Sequence, residues 1–146
     1  MPIPDSSRRY HIIIDAYNCQ PSHLSDRDKV DKVIRDITKL CGMTLLHGPV
    51  VLEGVPENPG ITGFAIIDFS HISIHTFTNA EELCIDIFSC KPFDYEKVKD
   101  YVQKTFALDG KYIKYIEVEY PKESELQGIS YSRLNIEKAP SSKILN

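Results

Sequence analysis

No stretch of this chain approaches the roughly 20 consecutive apolar residues that cross a bilayer, and the opening Met-Pro-Ile-Pro-Asp-Ser-Ser-Arg-Arg lacks the apolar segment of a secretory signal. Neither a membrane partner nor export is expected, and the cytoplasm is the expected location. An excess of positive charge is also missing. Seventeen Lys and Arg face 21 Asp and Glu, a formal net charge of −4, so no broad basic field draws nucleic acid or an anionic lipid surface. Cysteine is sparse: Cys19, Cys41, Cys84 and Cys90 are too few, in a chain of ordinary domain size, to suggest a disulfide scaffold, and free thiols are expected. There is no internal repeat and no low-complexity tract. At 146 residues one domain with one core is the simple expectation.

Residues 10–18 read as a β-branched and aromatic strand. Ser25 is the expected N-cap of a helix whose Val30, Val33, Ile34, Ile37 and Leu40 recur on one face up to Gly42. Strand character returns over 43–52, and the segment from Gly54 to Gly60, with two prolines, is a loop. Ile61–Phe69, Ser73–Thr76 and Leu83–Phe88 read as further strands. Asp94 caps a second helix over 95–106, and 111–120 is a last strand. The order β-α-β-β-β-β-α-β predicts an α+β two-layer sandwich, an antiparallel β-sheet with both helices on one face and the other face left for a partner. Residues 1–120 form the expected domain and 121–146 a polar C-terminal extension, within which 129–136 is the expected short ordered piece.

Reactive groups concentrate in Ser70-His71-Ile72-Ser73-Ile74-His75-Thr76 and Asp86-Ile87-Phe88-Ser89-Cys90. A core has little use for so many polar groups, since each needs a partner or carries a desolvation cost. Ser70 with His75 could form a hydrolase pair, although no Gly-x-Ser-x-Gly elbow surrounds the serine and only Asp68 or Asp86 could orient the imidazole. His71, His75, Cys84 and Cys90 could in principle ligate a metal, but four residues along a strand span about 13 Å. Satisfied core residues are the third option.

Ile61 through Phe77, followed by Asp86-Ile87-Phe88-Ser89-Cys90, resembles the prokaryotic class of S-adenosylmethionine decarboxylases, small pyruvoyl enzymes of spermidine biosynthesis. Ser-His-x-Ser-Ile-His-Thr and its distance to Phe-Ser-Cys carry most of the resemblance; His11, Asp15 and Tyr17-Asn18-Cys19 add to it. The resemblance implies a proenzyme that cuts itself between Phe69 and Ser70 and turns Ser70 into a pyruvoyl cofactor, with no metal and no pyridoxal. It implies that Thr62 assists processing, that His75 removes the α proton of an ester intermediate, and that Cys90 returns a proton to the decarboxylated substrate. The pyruvoyl carbonyl would form a Schiff base with S-adenosylmethionine, Phe77 would stack near its adenine, and Asn79 stands where a ribose-binding acid is usual. Two processed protomers would pair, with sites near their interface. Two departures stand out: Phe69 replaces a glutamate before the serine, and Thr78-Asn79 replaces Pro-Glu. Two alternatives follow from them, a pyruvoyl decarboxylase of another amino acid such as ornithine or arginine, and a relative that neither cleaves nor catalyses but binds or regulates a partner.

Overall fold

The computed structural model describes residues 8–129 and 131–132. Its six strands, β1 (Tyr10–Ala16), β2 (Leu45–Glu53), β3 (Ile61–Ile67), β4 (Ser70–Phe77), β5 (Glu82–Ser89) and β6 (Ile113–Val118), form one antiparallel sheet in the order β2-β3-β4-β5-β1-β6. Strict alternation explains why one face is closed. Ile12, Ile14, Ile61, Ala65, Ile67, Ile72, Ile74, Leu83, Ile85 and Ile87 are all buried, whereas the residues between them line the opposite face.

Among the described residues three α-helices accompany the sheet: α1 (Pro21–Leu24), α2 (Arg27–Leu40) and α3 (Tyr95–Thr105). The apolar stripe of α2, Val30, Val33, Ile34 and Ile37, and that of α3, Val98 and Val102, enter the same core as the buried sheet residues. The expected α+β sandwich is thus observed, with differences at the element ends. Asp26, not Ser25, caps α2, its carboxylate accepting the Lys29 N–H at 3.0 Å. Ser25 instead closes the short helix α1, where Pro21 suits the first turn because its missing N–H has no helical partner there. A 3-10 turn over Gly110–Tyr112 delays the last strand to Ile113. Beyond the sheet, Glu123–Glu125 makes a further 3-10 turn; of the expected ordered piece at 129–136, residues 130 and 133–136 lie outside the described residues.

Thr76 is a buried polar residue that ties three elements together. Its hydroxyl donates to the Leu24 carbonyl at 2.7 Å and accepts the Ile61 N–H at 2.8 Å, so burial leaves no unmatched polar group there. One turn of chain away, Gly60 has φ +153°, and a Cβ added to it would sit 1.9 Å from the Thr76 carbonyl oxygen. Gly60→Ala is therefore expected to destabilise the domain by about 2 kcal/mol or more, the scale of backbone overpacking, read as a lower urea midpoint at unchanged m-value.

Candidate functional site

β3 and β4 are joined by a two-residue hairpin in which Ile67 pairs with Ser70 across Asp68 and Phe69. Ser70 begins β4 and lies opposite Ser89 of β5. Its φ is +149°, a region that L side chains rarely enter and that costs on the order of 1–3 kcal/mol. The strained residue is the serine singled out from sequence.

Its upstream neighbours are held at several points. Asp68 exchanges bonds with Thr44, accepting the Thr44 N–H on its carboxylate and donating its own N–H to the Thr44 carbonyl, both at 3.0 Å. The Phe69 ring packs partly buried against the core, with the Lys91 ammonium 4.9 Å from its centroid. The Phe69 carbonyl oxygen accepts the Cys90 N–H at 3.0 Å. A hydrogen-bond donor thus already points at the oxygen that would become negative if Ser70 attacked this carbonyl.

Ser70 and Cys90 are brought together. His75 is not: it stands five residues further along β4, about 17 Å at strand rise. There the Thr62 hydroxyl and His75 Nδ1 are 3.1 Å apart, and the Phe77 ring stacks beside the imidazole with centroids at 6.5 Å. Asn79 lies in the exposed turn after β4. Register continues this second cluster across the sheet, from Thr62 and His75 to Cys84 of β5 and Asp15 of β1, and the Tyr17 hydroxyl donates to Asp15 at 2.9 Å. The predicted site residues therefore fall into two groups at opposite ends of β4: Ser70 with Cys90, and Thr62, His75, Phe77 and Asn79.

This separation removes a Ser70–His75 hydrolase pair within one chain. Neither candidate acid orients His75, because Asp68 is committed to Thr44 and Asp86 lies between His11, at 3.0 Å, and His71, at 3.6 Å. Four residues of β4 likewise hold His71 and His75 too far apart to share a metal, and among the described residues no group of three or more His, Cys, Asp or Glu could hold one. No described helix is long and apolar enough to cross a membrane.

The four thiols differ sharply. Burial pushes Cys41 up to about 12, and burial with Glu81, Glu82 and Asp15 nearby pushes Cys19 up to about 11. Cys84 is raised by burial and by Asp15 and Asp86, while Cys90 is exposed. A raised pKa leaves less thiolate at any given pH. Limited iodoacetamide at pH 8 followed by peptide mapping is expected to label Cys90 first and to spare Cys19 and Cys41 until the chain is unfolded.

Fold and residues define a two-layer α+β protein with a strained serine whose preceding carbonyl accepts the backbone N–H of an exposed cysteine. The chain belongs to the S-adenosylmethionine decarboxylase family, whose model matches residues 10–119. It is 35% identical over 80 residues to the S-adenosylmethionine decarboxylase proenzyme of Methanococcus maripaludis strain C5, a match covering 55% of this chain and 63% of that one. The proenzyme of Parasynechococcus marenigrum strain WH8102 is also 35% identical over 80 residues, with 55% and 60% covered. The match thus spans somewhat less than two thirds of these relatives. The crystal structure of the adenosylmethionine decarboxylase from Aquifex aeolicus VF5 superposes with a TM-score of 0.63 at 21% identity, covering 88% of this chain and 97% of that one, which shows the shared fold.

Proposed function

We propose that the protein is a self-processing, pyruvoyl-dependent decarboxylase of S-adenosylmethionine that supplies the aminopropyl donor for spermidine synthesis. The observation that carries this reading is the hairpin: a serine at φ +149° whose preceding carbonyl accepts the Cys90 N–H at 3.0 Å. Attack by Ser70 Oγ forms a C–O bond to the Phe69 carbonyl carbon and breaks the Phe69–Ser70 C–N bond. The hydroxyl proton passes to the freed nitrogen, and the peptide becomes an ester. Cys90 N–H stabilises the tetrahedral oxygen, and the shift relieves the backbone strain at Ser70.

His75 then serves as base. With Nδ1 against Thr62, its Nε2 can accept the Cα proton of residue 70; the Cβ–O bond breaks, Phe69 leaves as a carboxylate, and the resulting enamine tautomerises and is hydrolysed by water with loss of ammonia. The pyruvoyl group so formed supplies an electron sink for a substrate amine. Cys90 Sγ holds the proton returned to the substrate α carbon. Phe77 offers an aromatic face to the adenine, and Asn79 offers uncharged hydrogen bonds to the ribose.

One chain cannot bring His75 to its own residue 70, so this reading requires a homodimer. The sheet face away from the helices exposes Leu46, Leu52, Phe64 and Ile66, an apolar surface suited to a second copy. Pairing two such faces about a twofold axis that crosses the strands sets the Ser70 end of one protomer against the His75 end of the other, and makes two equivalent sites.

The test is release of labelled carbon dioxide from carboxyl-labelled S-adenosylmethionine, with ornithine and arginine in parallel. The expected result is turnover of S-adenosylmethionine at least a hundredfold faster than of either amino acid, since neither brings an adenine for Phe77. Faster turnover of ornithine or arginine would assign the same chemistry to that substrate, and no turnover of any of the three would contradict the reading.

A further inference from the structure

The face of the sheet away from the helices carries a second polar cluster that the steps above do not use, and it begins at the residue after Ser70. The His71 ring lies between Phe64 of β3 and Phe88 of β5, with centroids 5.6 and 5.8 Å away and interplanar angles of 22° and 18°. Its Nε2 is 3.6 Å from Asp86 Oδ1. The same carboxylate oxygen is 3.0 Å from His11 Nε2, and His11 Nδ1 is 2.8 Å from the Tyr120 hydroxyl. The imidazole is held on both faces and faces an acid that is itself held in place.

We propose that His71 is a positioning residue for self-cleavage. A backbone angle that L side chains avoid persists only where the surroundings over-determine it. Upstream of Ser70 the hairpin is fixed through Asp68, Phe69 and the Phe69 carbonyl. Downstream, the first side chain available to fix the backbone is His71, and its planar ring in a two-sided stack resists rotation in a way that apolar volume alone does not. The Phe64–His71–Phe88 stack therefore holds residue 70 with its hydroxyl ready for the first, acyl-shifting step. Asp86 sets the azimuth of the ring within the stack. His71 touches neither substrate nor reacting atoms in this role.

The inference rests on the self-cleavage reading, and the experiment separates the two. Full-length chains carrying His71→Phe, His71→Leu or Asp86→Asn are made by cell-free translation, and cleavage is followed by gel with and without hydroxylamine, which splits esters but not peptide bonds. His71→Phe, which keeps the planar stack, is expected to cleave within about threefold of wild type. His71→Leu keeps apolar volume without the ring and is expected to slow cleavage about tenfold or more, with uncut chain resistant to hydroxylamine because the block precedes the ester. Asp86→Asn is expected to slow cleavage several-fold and carries the test should His71→Leu not fold. Equal rates for Phe and Leu, wild-type cleavage by Asp86→Asn, or hydroxylamine-sensitive chain accumulating in His71→Leu would each overturn the positioning role. A wild-type chain that never cleaves would instead overturn the reading on which it rests.

Discussion

Co-expressing a Ser70→Ala chain with a His75→Ala chain is expected to restore about a quarter of wild-type decarboxylase activity to two proteins that are each inactive alone. On the proposed mechanism Ser70→Ala would have no hydroxyl to attack with, and His75→Ala would lack the base for ester elimination, a loss of roughly 10²–10⁴ in rate. The expectation of rescue comes from the geometry of β4. Ser70 and His75 are about 17 Å apart in one chain, and Thr62 bonds to His75, not to the hairpin. In a hybrid dimer one site pairs an intact Ser70 with the partner's intact imidazole, while the other site holds both defects. Random assembly makes half the dimers hybrid, and half the sites of each hybrid are sound. Affinity-purified hybrids without activity would contradict the shared site, as would full activity in either parent.

Cys90 is expected to divide into two functions that different substitutions separate. Cys90→Ala keeps the N–H that bonds to the Phe69 carbonyl and should cleave at the wild-type rate, yet lose about 10²–10⁴ in turnover for want of the thiol proton. Cys90→Pro removes the N–H itself. Deleting one donor to a developing oxyanion costs about 10²–10³ in rate, so this chain should remain largely uncut. Cleavage by Cys90→Pro at the wild-type rate would show that the bond to the Phe69 carbonyl takes no part in the acyl shift. Circular dichroism on both variants checks that the β5 end stays folded.

Much of this architecture was legible in the residues. Period-two alternation marks β1, β3 and β5, and the helical recurrence of Val30, Val33, Ile34 and Ile37 marks α2, because each pattern is the direct imprint of a buried face. Ends were harder to read. Ser25 and Asp26 are both good caps, and the choice between them turned on α1, a four-residue helix too short to leave a periodic signal. The reactive residues were visible as a cluster, but their arrangement was not. Spacing along a chain does not show that Ser70 and His75 stand at opposite ends of one strand, and no local signal reports that a serine has φ +149° or that the donor to the Phe69 carbonyl is a backbone N–H twenty-one residues away. The hydroxyl of Thr76 was likewise readable only once Leu24 and Ile61 were in place around it.

Phe69 also takes on a different meaning in the structure. Where a glutamate is expected before the serine, its ring lies under the Lys91 ammonium at 4.9 Å. The contact is a cation–π pair. It helps to hold the hairpin while leaving the side chain before Ser70 uncharged.

The central claim is that this chain cuts itself at Phe69–Ser70, and denaturing intact-mass measurement of the freshly purified protein tests it most directly. Two fragments are predicted, residues 1–69 and 70–146, the second lighter by one ammonia than a serine-headed peptide and resistant to N-terminal degradation. A single species at 16.6 kDa, unchanged after prolonged incubation, would contradict the account.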